Sequence, residues 1–177
     1  MKGTGTSALF STIDALKEFG PEYINITTHR SEYVYVEQPD GTYLRHFVRR
    51  RPGTVAVASA IMHQYDIKVV PHVVVSGMTK EDIEYMLLDL QFLGIQDILV
   101  LRGDKAKDEA RFQPMKDGYS HATDLIEQVN LFNQGKFIDG TPIKNPGAPF
   151  SYGVAAYPEK HEEASNSEFD LQVLKHS

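Results

Sequence analysis

Ionisable and hydrogen-bonding residues follow four short apolar segments of the sequence. The four groups are residues 27–30 (Thr-Thr-His-Arg), Pro71-His72, Arg102-Gly103-Asp104 and residues 157–161 (Tyr-Pro-Glu-Lys-His). In a parallel α/β sheet the carboxyl ends of the strands meet along one edge, and ligands bind there. If the apolar segments are parallel strands, the four groups converge on one binding site.

The Arg102-Gly103-Asp104 group comes directly after the apolar run at residues 98–101. Its glycine would let the backbone approach a ligand closely, and Asp104 would place a negative charge beside that ligand. The alternative is a surface turn with an internal ion pair. His72 is likewise either a structural histidine within a strand or a site residue, and the other polar strand ends favour a site.

The composition narrows the class of protein. With 177 residues and 41% hydrophobic content, the chain can bury a sizeable core. Its net charge of -6 disfavours a nucleic-acid binder, and the basic group Arg45 with Arg49-Arg50-Arg51 is most simply a solvated face. The chain has no cysteine, no apolar run near the roughly 20 residues that cross a bilayer, and no signal-peptide stretch. We expect a cytoplasmic protein that binds neither nucleic acid nor membrane.

Apolar periodicity predicts alternating helices and strands. Helices are expected at residues 7–19, 52–65, 80–93 and 122–133, with a final amphipathic segment, and strands at 23–27, 68–75, 97–101 and 152–156. Thr79 should cap the third helix and Gly94 should end it. This order predicts a parallel sheet covered by helices, either doubly wound or a TIM barrel. Four strands do not close a barrel of eight, so a barrel would be partial.

Two segments interrupt the alternation. Residues 33–48 read as a β-hairpin around a Pro39-Asp40-Gly41 turn, expected to border the mouth of a site. Residues 134–150 lack periodicity and are rich in Gly and Pro, which predicts a long irregular loop. We otherwise expect a single domain over residues 1–177.

Several catalytic motifs are missing from the sequence. It contains no Gly-x-Gly-x-x-Gly after a strand, no P-loop and no Gly-x-Ser-x-Gly elbow, which disfavours a Rossmann dinucleotide site, a Walker nucleotide site and an α/β-hydrolase. His29, His72 and His161 with Asp104 suggest a metal-dependent barrel hydrolase as an alternative. No paired histidine signature accompanies them, and we predict no metal ligands.

Three motifs occur in order along the chain: Pro71-His72, Leu101-Arg102-Gly103-Asp104 and residues 155–161 (Ala-Ala-Tyr-Pro-Glu-Lys-His). Taken together and at their spacing, they resemble the methylenetetrahydrofolate reductase family. Residues 21–27 resemble the family's second strand, and Asp124-Leu125 fits the helix after the Arg-Gly-Asp loop. The resemblance covers the chain apart from the hairpin and the long loop.

The resemblance implies part of a TIM (β/α)8 barrel that holds FAD at its carboxyl rim. NADH or NADPH would reduce the flavin, which then reduces 5,10-methylenetetrahydrofolate to 5-methyltetrahydrofolate, a step of one-carbon metabolism and methionine biosynthesis. Asp104 would tune the reduction potential of the flavin. The family's cofactor contacts match Thr27, His72, Arg102, Gly103, Asp104, Ala122, Ala156, Tyr157, His161 and Asp170.

The sequence also departs from the family pattern at several points. The family's opening strand supplies a catalytic glutamate, and this sequence begins after that point; it corresponds to roughly the first half of the barrel. We therefore expect a fragment that is inactive alone, and exposed sheet edges that favour a homo-oligomer or a non-catalytic half-barrel that self-associates. His121 stands where the family often has tyrosine, and Ser177 stands where a basic residue would contact the FAD phosphates.

Overall fold

A computed structural model describes residues 5–106, 109–156, 159–161 and 163–176. The described part is an α/β structure with five helices and six strands. In chain order the elements are α1 (Ser7–Lys17), β1 (Tyr23–Ile26), β2 (Glu32–Glu37), β3 (Tyr43–Val48), α2 (Thr54–Gln64), β4 (Lys68–Val74), α3 (Lys80–Phe92), β5 (Asp97–Leu101), α4 (Ala122–Asn133), β6 (Ser151–Val154) and α5 (Ser167–His176). None of the described helices is both long enough and apolar enough to cross a membrane.

The main sheet has four parallel strands in the order β1-β4-β5-β6. This confirms the predicted parallel α/β class. The predicted strand at 152–156 is wrong at its carboxyl end, because the pairing of β6 with β5 stops at Val100 and Val154. Ala155 and Ala156 lie outside the strand.

The chain divides within β4 into two compact units, Met1–Pro71 and His72–Ser177. The core of the first unit contains Ile13, Ile26, Ala58, Ile61, Tyr65 and Val69. The core of the second unit contains Val73, Val75, Ile83, Leu87, Leu90, Ile98, Val100, Leu125, Val129 and Phe132. In the second unit these residues come from one face of α3, one face of α4, alternate positions of β5, and alternate positions at the carboxyl end of β4, as helical and strand periodicity require. A single domain over the whole chain stays a prediction.

Helix α3 shows how the local sequence sets its bounds. The Thr79 hydroxyl accepts from the backbone N–H of Asp82 at 3.1 Å, and the Asp82 carboxylate accepts from the Thr79 N–H at 3.0 Å. This capping box satisfies amide groups that have no partner within the helix. Gly94 lies just beyond the helix with φ +75°, a conformation in which glycine is favoured. Both predictions for this helix are confirmed.

The predicted hairpin is present as the antiparallel pair β2–β3. Its connection is closed by a hydrogen bond from the Gly41 N–H to the Gln38 carbonyl, and Gly41 has φ +80°. Tyr35 and Tyr43 on these strands are more than half exposed. The hairpin therefore presents large side chains to solvent.

The irregular loop between α4 and β6 is fastened by two side-chain amides. The Gln91 side chain donates to the carbonyl of Ala148 at 3.0 Å and accepts from the N–H of Gly147 at 3.1 Å. The Asn133 side chain accepts from the Phe150 N–H at 2.7 Å and donates to its carbonyl at 2.9 Å. These bonds hold the loop beside the amino-terminal end of β6.

Candidate functional site

The carboxyl ends of β4 and β5 stay joined beyond the named strands. The backbone N–H of Val75 donates to the Leu101 carbonyl at 3.0 Å, and the N–H of Ser76 donates to the Arg102 carbonyl at 2.8 Å. This extension of the ladder brings Ser76 next to the Arg-Gly-Asp turn. The turn therefore has a fixed place at the edge of the sheet where the sequence predicts a site.

Gly103 is packed directly against Ser76. Its φ of +79° is in the left-handed region, and a Cβ at this position would lie 2.9 Å from the Cβ of Ser76. The Ser76 hydroxyl donates to the backbone carbonyl of Asp104 at 2.6 Å, which ties the other side of the turn. Only glycine fits this backbone without a shift of its neighbours. The Asp104 side chain is exposed at the rim.

Arg102 is held between a ring and a carboxylate. Its Nη1 donates to Oε1 of Glu163 at 2.6 Å, and its guanidinium carbon lies 5.2 Å from the centre of the Phe112 ring. The Arg102 side chain is 21% exposed and that of Glu163 is 51% exposed. The hydrogen bond from Arg102 lowers the pKa of Glu163, so the pair is ionised near neutral pH. Neither Glu163 nor Phe112 is among the site residues predicted from the sequence.

Glu163 also links Arg102 to two other predicted site residues. The Glu163 N–H donates to Nδ1 of His161 at 3.2 Å, and the His161 N–H donates to Oδ2 of Asp170 at 2.9 Å. Nδ1 of His161 therefore serves as a hydrogen-bond acceptor in this arrangement. The structure thus brings Arg102, His161 and Asp170 into one hydrogen-bonded chain that runs from the end of β5 to the first turn of α5.

His72 is half-buried within β4, in register with Leu99 of β5. Burial lowers its pKa below the ordinary 6.5, so the imidazole is neutral at pH 7. A neutral imidazole offers one donor and one acceptor nitrogen. His72 can therefore serve a hydrogen-bonding role but not a cationic one.

Ala122 and Ala156 lie at the ends of elements. Ala122 is the first residue of α4, where the Asp124 carboxylate accepts from the N–H groups of His121 at 2.9 Å and Ser120 at 3.1 Å. Ala156 is exposed two residues beyond β6. Tyr157 and Ser177 lie outside the described residues.

Thr27 belongs to the first unit and follows β1. It lines a cavity of ≈ 180 Å³ together with His29 and Arg51 at the polar side and apolar residues of α1 and α2. The hydroxyls of Thr28 and Thr54 share a hydrogen bond of 2.6 Å beside it. Burial, followed by the charge of Arg51, lowers the pKa of His29. This corner therefore carries a neutral imidazole and a guanidinium.

The metal alternative gains no support from the arrangement of side chains. Among the residues that the structure describes, no three His, Asp or Glu side chains converge as a set of metal ligands.

Comparison with known proteins identifies the family. The family model for methylenetetrahydrofolate reductase matches residues 2–177. Methylenetetrahydrofolate reductase 2 of Saccharomyces cerevisiae is 28% identical over 174 residues, covering 97% of this chain and 24% of the yeast protein. Methylenetetrahydrofolate reductase (NADH) 1 of Zea mays is 27% identical over 164 residues, covering 93% of this chain and 23% of the maize protein. The 5,10-methylenetetrahydrofolate reductase of Pectobacterium carotovorum is 26% identical over 168 residues, covering 95% of this chain and 44% of the bacterial protein. The chain thus spans less than half the length of these relatives, and it belongs to the methylenetetrahydrofolate reductase family.

Proposed function

We propose that this chain supplies a flavin-binding rim for the NAD(P)H-dependent reduction of 5,10-methylenetetrahydrofolate to 5-methyltetrahydrofolate. One observation carries the proposal: the Arg102-Gly103-Asp104 turn is locked against Ser76 at the carboxyl edge of the sheet. Such an edge is where α/β enzymes bind cofactors. The family match over residues 2–177 makes FAD the first ligand to test.

The donor set suits a flavin nucleotide. A flavin ring presents both carbonyl acceptors and an N–H donor, and the pyrophosphate of FAD carries negative charge. Arg102 offers a cationic donor, while His72 and the Asp104 carboxylate offer neutral and anionic partners. The start of α4 at Ala122 adds the backbone N–H groups of a helix amino terminus, which favour anions.

We assign the remaining contacts from the family resemblance. FAD supplies the hydride-transfer chemistry when bound. Asp104 places a negative charge at the rim, which opposes extra negative charge on a reduced ring beside it. Gly103 lets the backbone come close, and His161 and Asp170 brace the segment that follows β6. Thr27, Ala156 and Tyr157 are proposed as cofactor contacts from the family resemblance alone.

We also propose that the parallel sheet belongs to a (β/α)8 barrel. Among the described strands, β1 and β6 are the two outer strands of the sheet, and each pairs with one neighbour, β4 and β5 respectively. Each outer strand therefore has a second edge at which a further strand could pair. A barrel satisfies such edges by closure. The folate substrate, a homo-oligomeric assembly and a cytoplasmic location remain part of this proposal.

The test is a titration of the purified chain with FAD, followed by the visible flavin bands and by quenching of flavin fluorescence. We expect saturable binding that Arg102→Ala weakens. Arg111→Ala is the matched control because Arg111 is an exposed arginine on the loop after β5. The absence of saturable binding would overturn the proposal, and equal weakening by both variants would remove Arg102 from the site.

The role of Asp104 has its own test. Asp104→Asn removes the negative charge and keeps the size of the side chain. If the carboxylate lies beside the flavin, the bound flavin should become easier to reduce, seen as a more positive midpoint potential in a dye-equilibrium titration. An unchanged potential would place Asp104 away from the ring.

A further inference from the structure

Glu163 is a half-exposed carboxylate on the segment after β6, and it reaches back to the end of β5. Its Oε1 accepts from Nη1 of Arg102 at 2.6 Å, while the Phe112 ring lies 5.2 Å from the guanidinium carbon. The ring restricts the guanidinium on one side and the carboxylate fixes one of its nitrogens. Arg102 therefore has a defined orientation.

We propose that Glu163 is a positioning residue, which holds the guanidinium of Arg102 against Phe112 so that it meets an anionic group of the bound cofactor already ordered. The inference rests on the proposed flavin-binding function. Glu163 itself acts through Arg102 and need not touch the ligand.

The backbone around Glu163 explains how its carboxylate is held in place. The Glu163 N–H donates to His161 Nδ1, and the His161 N–H donates to the carboxylate of Asp170 in the first turn of α5. Each bond fixes one point of the segment between β6 and α5. The carboxylate is consequently presented to Arg102 from an anchored main chain rather than from a free loop.

The physical benefit lies in conformational entropy. A free arginine side chain has many rotamers, and a ligand that orders it loses affinity in doing so. Because Glu163 and Phe112 restrict these rotamers beforehand, the ligand meets a guanidinium that is already placed. An ion pair as exposed as this one contributes little to folding, so its effect should appear in ligand affinity rather than in stability.

The experiment compares Glu163→Ala with Glu163→Gln in titrations with FAD and with riboflavin. Riboflavin has the same ring as FAD but no phosphate. We expect Glu163→Ala to weaken FAD binding by about two- to tenfold, the range for ordering one long side chain, and to leave riboflavin binding unchanged. Glu163→Gln keeps an acceptor oxygen and should retain most of the FAD affinity. Glu168→Ala, on the exposed first turn of α5, is the control for loss of a nearby carboxylate.

A double-mutant cycle tests whether Glu163 acts only through Arg102 or has an independent effect on flavin binding. If Glu163 acts only through Arg102, then Glu163→Ala has no further effect in an Arg102→Ala background. Additive losses would overturn the proposal, as would an equal loss for FAD and riboflavin, which indicates a general structural defect. Tighter FAD binding by both Glu163 variants would also overturn it, because Glu163 would then compete with the ligand. If the unaltered chain binds neither flavin, the proposed function itself fails, and this inference with it.

Discussion

Replacing Gly103 by alanine tests whether the Arg-Gly-Asp turn is locked as described. The change forces an L residue into a backbone with φ +79°, which costs about 1–2 kcal/mol. It also places a Cβ 2.9 Å from the Cβ of Ser76, and overpacking of this kind costs about 1–3 kcal/mol. Together we expect about 2–5 kcal/mol of destabilisation, which is large against a typical total of about 5–15 kcal/mol.

Gly94→Ala is the matched control for that experiment. Gly94 has φ +75°, close to that of Gly103, and a Cβ there would meet no atom within 4 Å. The control therefore measures the backbone contribution alone. The assay is urea unfolding monitored by circular dichroism. The chain has nine tyrosines but no tryptophan, so tryptophan fluorescence is not available as a probe. Gly103→Ala should lower the free energy of unfolding by clearly more than Gly94→Ala does.

A second variant isolates the contact itself. Ser76→Gly removes the atom that a new Cβ would meet, so Gly103→Ala measured in that background should cost no more than Gly94→Ala. If Gly103→Ala and Gly94→Ala are equally destabilising in the unaltered chain, the close approach has no energetic weight. The turn would then need glycine only for its backbone angle, and the argument that Ser76 locks it would be refuted.

Three further predictions concern stability. Gln91→Ala should destabilise the chain by about 1–3 kcal/mol in urea unfolding, because two hydrogen bonds to the backbone of the loop before β6 are lost. Gln96→Ala is the control and should have little effect, since the Gln96 side chain is exposed. Burial lowers the pKa of His72 in the folded chain. As the pH falls, the His72 imidazole is therefore protonated in the unfolded chain before it is protonated in the folded chain. Its contribution to stability should be full above pH 6.5 and fall as the pH drops below 6.5, and His72→Gln should flatten that part of the curve of unfolding free energy against pH. Burial, with the nearby charge of Asp124, raises the pKa of Tyr119 from 10.0 to about 12, so stability should fall as the pH rises through that interval, and Tyr119→Phe should remove this fall.

The sequence predicted the elements well because their signals are local. The bounds of α4 and β5 match the predicted ranges, and the capping of α3 by Thr79 follows from residue types within one turn. Pairing between segments that are distant in the chain is different. Nothing near Glu163 in the sequence indicates that it contacts Arg102, because that contact depends on how α5 and the loop after β6 return to the sheet. The contact of Gly103 with Ser76 is equally non-local, although the glycine itself was a signal that the backbone comes close to something.

The amino-terminal and carboxyl-terminal ends of the strands are stabilised in different ways, and the difference bears on function. Beside the amino-terminal end of β6, the side-chain amides of Gln91 and Asn133 each bond the loop backbone through both a donor and an acceptor. At the carboxyl edge, backbone packing fixes Gly103 while the ion pair of Arg102 with Glu163 stays partly exposed to solvent. Neutral bonds to backbone groups stabilise the fold, whereas a partly exposed ion pair adds little to it and leaves charge available at a rim. Variants at Gln91 should therefore lower stability with little change in flavin affinity, and variants at Glu163 should do the reverse. If Glu163→Ala instead lowered the free energy of unfolding as much as Gln91→Ala, the ion pair at the carboxyl ends of the strands would stabilise the fold and would not be reserved for ligand binding.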